Sequence, residues 1–443
     1  MSTTVCSLMR GSLSGDGTGK EVGRSLLVNG KDITGKLTRD GWLLFATRCW
    51  RMFAYGLLSV VLVLYLIEVG LKEWEVGLLL TLTLAGDTAI SLWLTTTADR
   101  QGRRRTLIVG AILMVLAGIV FVSTGNMLLL LVAATIGVIS PSGNEIGPFL
   151  SVEQAALSHI VGDEQRTDVF AWYNLVGSFS TALGALAGGL IAEASQHFGL
   201  IGAAAFRPVL WAYAGIGLVL IGGFALLSPA IEAHVGNEAS TPRKTVLGLH
   251  ESRWIVFKLS LLFALDAFGG GFVIQSIIAY WFHVRFQLDP AMLGTIFLFA
   301  NLLAGVSALA AGWLARRIGL VNTMVFTHLP SNVLLILVPL MPNVYWAVAL
   351  LLLRFSISQM DVPTRQAYTM AVVRPDERSA AAGVTAVARS VGASISPMLA
   401  IVLVGSTGLM SVPFFLAGGL KIVYDVLLYR AFSSSEGGAT TKK

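Results

Sequence analysis

Charged and amide side chains interrupt long apolar stretches of this chain at a few positions: Arg48 and Arg51, Asp87, Asn144, Glu145 and Glu153, Asp266 and Gln275, and Arg354, Asp361 and Arg365. An ionisable side chain at the centre of a bilayer costs at least roughly 2.5–3.5 kcal/mol on insertion scales, so such residues face a cavity or a partner. Two kinds of chemistry follow. A carboxyl group in a low-dielectric cavity favours its protonated form and can exchange a proton for a solute. Asp87, Glu145 and Asp361 are the candidates for that role, with Asn144, Gln275 and Arg354 as candidate solute contacts in the same cavity. Opposite charges can also clamp two elements together, which makes Arg51, Glu153, Asp266 and Arg365 candidate gating residues. Asp361 and Arg365 stand one helical turn apart, so an ion pair within one helix that merely settles a buried charge is the alternative for them.

The elements that position these residues are dictated by composition. The 443 residues are 55% hydrophobic and 13% charged, with a mean hydropathy of +0.75, whereas soluble domains carry about a quarter charged residues. Apolar runs of spanning length fall near 43–69, 75–97, 106–123, 127–157, 168–192, 208–228, 254–281, 291–315, 321–340, 344–373, 381–404 and 410–431. They are predicted to be helices, because an isolated strand in hydrocarbon leaves its backbone groups unpaired. The chain therefore reads as an all-α membrane protein of twelve transmembrane helices. Glu145, between Gly143 and Gly147-Pro148, marks an expected kink in the fourth. Trp74, Trp211, Trp281 and Trp346 near the helix ends are expected to anchor the interface, and Lys421 and Asp425, spaced i,i+4, are expected to neutralise each other.

Charge placement sets the topology. With the N-terminus inside, the short even-numbered connections hold Arg100, Arg103, Arg104, Arg105, Arg166, Arg316, Arg317, Arg374 and Arg378, against Lys72, Arg207 and Arg285 on the other side. Both termini are thus expected in the cytoplasm, in a plasma or inner membrane, with the lipid bilayer and a small-molecule solute as partners. The net charge of +6 is topogenic under this reading and implies no nucleic acid. The expected organisation is a disordered tail over 1–40, a six-helix bundle over 41–228, a cytoplasmic linker over 229–252, a second bundle over 253–432 and a tail over 433–443.

An internal repeat supports the division. Gln154-Ala155 through Arg166 matches Gln366-Ala367 through Arg378 at an offset of 212, Gly77 matches Gly294 at 217, and Gly56 and Tyr65 match Gly271 and Tyr280 at 215. Repeat equivalence places Glu153 at the position of Arg365 and Arg51 at that of Asp266. Ion pairs across the two halves that close the cytoplasmic side are the expectation; side chains that snorkel to water at helix ends are the alternative.

The loop Thr95-Thr96-Thr97-Ala98-Asp99-Arg100-Gln101-Gly102-Arg103-Arg104-Arg105 and its second copy, Gly312-Trp313-Leu314-Ala315-Arg316-Arg317-Ile318-Gly319, resemble the motif between helices 2 and 3 of the major facilitator superfamily. The resemblance covers about residues 41–432 and implies two pseudo-symmetric six-helix bundles, a cavity lined by helices 1, 4, 7 and 10, and a loop latch built on Asp99, Arg100, Gly102, Arg103, Arg104, Gly312, Arg316 and Gly319. Residues 180–189 partly resemble the helix-5 motif of the drug/proton antiporter branch. Gly184, Gly188 and Gly189, with Pro397 at the equivalent place in helix 11, form that motif here; packing of small residues is the other explanation. The implied function is a secondary transporter, a monomer that exports a small organic or amphipathic compound against protons, with proton-coupled uptake of a sugar, organic acid or other small metabolite as the alternative. The six histidines have no metal-type spacing, and neither HExxH nor G-x-x-x-x-G-K-[ST] occurs, so neither an enzyme, a metal site nor a cofactor is expected, and the proton gradient is the expected energy source.

Overall fold

The two halves reuse the same local devices, a capping asparagine and a turning glycine, at equivalent places. The computed structural model describes residues 37–144, 149–161, 163–232 and 249–437. The first half holds α1 (Arg39–Glu68), α2 (Glu73–Gln101), α3 (Arg103–Ser123), α4 (Met127–Ile136), α5 (Phe149–Ile160), α6 (Asp163–His197) and α7 (Ala203–Ala225). The second holds α8 (Arg253–Gly271), α9 (Gln275–Phe286), α10 (Pro290–Ile318), α11 (Leu320–Leu337), α12 (Val344–Ser358), α13 (Asp361–Val372), α14 (Arg378–Gly405) and α15 (Val412–Gly437). Asn126 caps α4 by accepting from the Leu128 and Leu129 amides, and Asn343, 217 residues on, caps α12 through the Trp346 amide. The turns from α2 to α3 and from α10 to α11 each pivot on a glycine with positive φ, Gly102 at 99° and Gly319 at 89°, a conformation that a side chain disfavours.

Among the described residues, ten helical stretches are long and apolar enough to cross a membrane, with α8 and α9 counted as one. The fourth and tenth spans are the exceptions, because each is broken into two short helices: α4 and α5, and α12 and α13. The α5 and α13 boundaries, 149–160 and 361–372, differ by 212 at both ends, the offset of the repeat. The seventh span is also broken, at Phe272–Ile274 between α8 and α9. Broken helices free backbone groups that only a cavity or another part of the protein can satisfy.

Glycines bring the paired helices together. A Cβ at Gly184 or Gly188 of α6 would overlap the carbonyl oxygens of Phe53 and Leu57 in α1. In the second bundle Gly392 of α14 stands likewise against the Ala264 carbonyl of α8. Apolar side chains also cover the outside, where Trp93, Leu128, Leu218, Phe257, Leu261 and Phe326 are exposed. That is the pattern of a helix bundle solvated by lipid. Trp74, Trp211 and Trp346 are exposed as expected, but Trp281 is fully buried, packed on Phe414 at 4.7 Å. The predicted span end at 281 misled, because the helix runs on to Phe286 and Trp281 sits in its middle among Phe282, Phe286 and Phe414.

The bundles touch away from the arginine-bearing loops. Gly189 of α6 meets Pro290 at the start of α10, and Gly77 at the start of α2 meets Met398 of α14. The Ala291 amide donates to Glu193 at 3.1 Å, the Ser276 amide to the Pro141 carbonyl at 3.2 Å, and Gln275 Nε2 to Ser59 Oγ at 2.7 Å. This seal occupies the far end of the molecule, opposite Gly102 and Gly319.

Candidate functional site

Above the seal lies a cavity of about 350 Å³ between the bundles, in the size range of small-molecule sites, with Asn144, Asp266, Gln275, Arg354, Arg389 and Lys421 in its wall. Asn144 and Gln275 both line it, and Gln275 also accepts from Asn301 Nδ2 at 3.2 Å. Asp87 is half-buried in α2, outside that lining. Glu145 lies outside the described residues, as do the Asp99 and Arg100 side chains.

The four gating candidates pair within their own bundles. Arg51 of α1 grips Glu153 of α5 through both guanidinium nitrogens, at 2.5 and 2.7 Å, and both side chains are fully buried. Tyr173 of α6 donates its hydroxyl to the same carboxylate, and the Arg51 guanidinium lies 4.5 Å from the Phe149 ring centroid. In the second bundle Arg365 of α13 bonds Asp266 of α8 at 2.9 Å. The expected Glu153 to Arg365 bridge between halves is therefore not the pairing in this structure. Each carboxylate already has a cation on a neighbouring helix, and the snorkelling alternative fails because all four side chains are buried. The two pairs occupy repeat-equivalent positions with their signs exchanged.

The second pair is part of a larger cluster. Arg365 also contacts Asp361 at 3.2 Å along α13, and Lys421 of α15 donates to Asp266 at 2.6 Å. Lys421 and Asp425 thus do not neutralise each other. Asp425 instead accepts from Asn332 at 3.0 Å and lies 2.8 Å from His328 Nδ1, both in α11. His328 Nε2 is 3.6 Å from Asp266, so the histidine spans the two carboxylates. The ninth span therefore contributes a titratable group, although it contains no acid, Lys or Arg. Residue-type counting missed His328, Tyr173 and Arg389; Arg389, a lone base inside an apolar run, carries the same signal that singled out Arg354.

At the arginine face the loops are held by acids. Glu232, just beyond the first bundle, accepts from the Arg103 and Arg104 amides at 2.6 and 3.2 Å and so caps α3. Arg103 and Arg104 also donate to the Ile231 and Ala225 carbonyls at 3.0 and 2.5 Å, and Arg317 lies 4.2 Å from the Trp313 ring centroid. Where the chain enters the second bundle, Glu377 accepts from the amides of His250, of Glu251 at 2.9 Å and of Ser252 at 3.0 Å. Burial opposes its ionisation, but the hydrogen bonds from Ser252, His250 and Glu251 outweigh it and hold the carboxyl down at about 2.

The Major Facilitator Superfamily model matches residues 44–397, most of the chain. The protein belongs to the major facilitator superfamily. An uncharacterized membrane protein of Saccharomyces cerevisiae is 30% identical over 420 residues, spanning 88% of this chain and 93% of the yeast protein. Among solved structures, a nucleoside transporter aligns over 89% of this chain and 100% of its own with a TM-score of 0.72 at 12% identity. A bacterial homolog of the human lysosomal transporter Spinster, inward-facing and occupied, aligns over 89% and 97% with a TM-score of 0.68 at 14% identity. These likenesses show the fold, that of small-molecule transporters. The superfamily's shared fold accounts for the paired bundles, and the antiporter-branch resemblance of residues 180–189 gains nothing from it, since Gly184 and Gly188 serve the contact with α1 and Gly189 the contact with Pro290.

Proposed function

We propose that this protein is a secondary active transporter in which the two bundles rock about the central cavity and a proton moves with the solute. The observation that carries the reading is Asp266: a carboxylate in the cavity wall, 4% exposed, holding cations from two other helices. Neutralising it releases Lys421 and leaves Arg365 to Asp361 alone, so a single protonation can rearrange contacts among α8, α13 and α15. Asp361 shares Arg365 and is the second candidate proton acceptor; Asp87 and Glu145 remain candidates on sequence grounds alone. The seal at the far face is then one of two alternating closures, with the arginine loops cytoplasmic, the protein in the plasma membrane and the monomer as the working unit.

Export of a small organic compound is the direction suggested by residues 180–189. The cationic lining of the cavity favours the second direction, proton-coupled uptake, because an anion entering with a proton does not have to work against a negative-inside membrane potential. Both are tested with purified protein in liposomes carrying an internal pH dye and a proton gradient imposed in either orientation. The reading expects solute-dependent proton movement for at least one compound of a metabolite and drug panel, and its loss in Asp266→Asn. Compound flux that ignores the gradient would remove proton coupling.

A further inference from the structure

Arg354 of α12 and Arg389 of α14 both line the cavity, and both bury an Nε that has no hydrogen-bond partner. The carboxylates of this bundle's buried cluster are engaged elsewhere. Asp266 holds Lys421 and Arg365, Asp361 holds Arg365, and Asp425 faces His328 and Asn332. Within the cluster at the cavity, Arg354, Arg365, Arg389 and Lys421 stand against Asp266, Asp361 and Asp425; four minus three leaves one positive charge, since the other buried carboxylate of this half, Glu377, is held by backbone amides at the loop face. An uncompensated cation at a low-dielectric wall is costly unless an anion meets it. In the first bundle the buried charges Arg48 and Arg51 stand against Asp40 and Glu153 and balance.

The rest of the lining is suited to an apolar body, with Met52, Leu84, Ile274 and Ile278 present and the Arg354 guanidinium 5.1 Å from the Phe355 ring centroid. We propose that the cavity binds an organic monoanion, its carboxylate received by Arg354 and Arg389 and its apolar part by the opposite wall. Guanidinium suits this task because its planar fork of donors matches the two oxygens of a carboxylate. The proposal rests on the transporter reading for the meaning of the cavity, and it names the class of solute.

The test uses two probes of one shape, naphthoate and its neutral carboxamide, titrated calorimetrically into the full chain in lipid nanodiscs. The unaltered protein is expected to bind naphthoate about tenfold or more tighter than the carboxamide. Arg354→Gln and Arg389→Gln are each expected to erase that preference by weakening naphthoate about tenfold more than the carboxamide. Arg354→Lys keeps the charge but not the fork, and is expected to retain part of the preference; it serves as the reading if the glutamine variants do not fold. Equal binding of the two probes, binding of neither, naphthoate displaced equally well by inorganic phosphate, or parallel loss of both probes in the variants would each overturn the proposal. Naphthoate binding without flux in liposomes sinks the transporter reading and leaves the site; flux with no preference for the anion does the reverse.

Discussion

The buried charges of the two bundles occupy equivalent positions and behave differently. In the first, Arg51 and Glu153 form a bidentate pair, sealed from the cavity and closed by Tyr173. In the second, Asp266 and Arg365 open into a cluster with Asp361, Lys421 and His328 that reaches the cavity wall. A pair with all its partners in place resists change, because moving either member exposes an uncompensated charge in a low dielectric. A carboxylate shared among several cations can lose one contact and keep another. The inverted symmetry thus yields one bundle whose charges hold the scaffold and one whose charges can rearrange.

The largest effect expected from breaking this contrast lies on the scaffold side. Glu153→Ala leaves Arg51 in a buried site without its carboxylate and should destabilise the protein by about 3–5 kcal/mol, read as a lowered melting temperature and reduced folded yield. Arg51→Met with Glu153→Leu should recover most of that loss. A single variant as stable as the parent would show that the pair contributes no scaffold. Exchanging the charges sharpens the point: Arg51→Glu with Glu153→Arg should refold better than either alone, whereas Glu153→Arg with Arg365→Glu should rescue nothing.

On the mobile side the expected stability effects are smaller. His328→Asn removes one of the groups facing Asp425 and should cost about 1–3 kcal/mol, measured by thermal unfolding, with a larger effect on transport than on folding. The smallest effect concerns the loop face, where Glu377 anchors residues 250–252 to the second bundle. Its carboxyl titrates below its ordinary value of 4.5, at about 2, so the anchor is complete above about pH 4.5 and is lost progressively as pH falls toward 2. Amide exchange at 250–252 should accelerate over that window, after correction for intrinsic rates, and Glu377→Gln should show the fast exchange already at neutral pH.

The sequence carried the architecture because hydropathy and repetition are properties of a linear chain. The 212-residue offset read between 154–166 and 366–378 is the offset that relates α5 to α13, although each was read as part of one unbroken span, and the charges inside apolar runs led to Arg51, Glu153, Asp266, Arg354, Asp361 and Arg365. Partner choice was legible only within one helix, where the one-turn spacing of Asp361 and Arg365 does carry a contact at 3.2 Å. Repeat equivalence says which positions correspond, not which touch, so the correspondence of Glu153 with Arg365 suggested a bridge where the fold places symmetric copies in separate bundles. Lys421 and Asp425 looked self-sufficient at helical spacing, yet Asp266 draws the lysine across to α8, a competition visible only once α8, α11 and α15 are packed together. Of the breaks in the fourth, seventh and tenth spans only the fourth combines glycine and proline, at Gly143 to Pro148; the seventh follows Gly269-Gly270-Gly271 and the tenth holds Pro363, weaker signals that helices also tolerate.

The central claim, that the second cluster rearranges while the first pair holds, is tested most directly by gradient-driven naphthoate flux in liposomes for two variants compared at equal folded yield. The account predicts that Arg51→Met with Glu153→Leu retains flux and that Asp266→Asn abolishes it. Retained flux in Asp266→Asn together with its loss in the apolar double variant would contradict it.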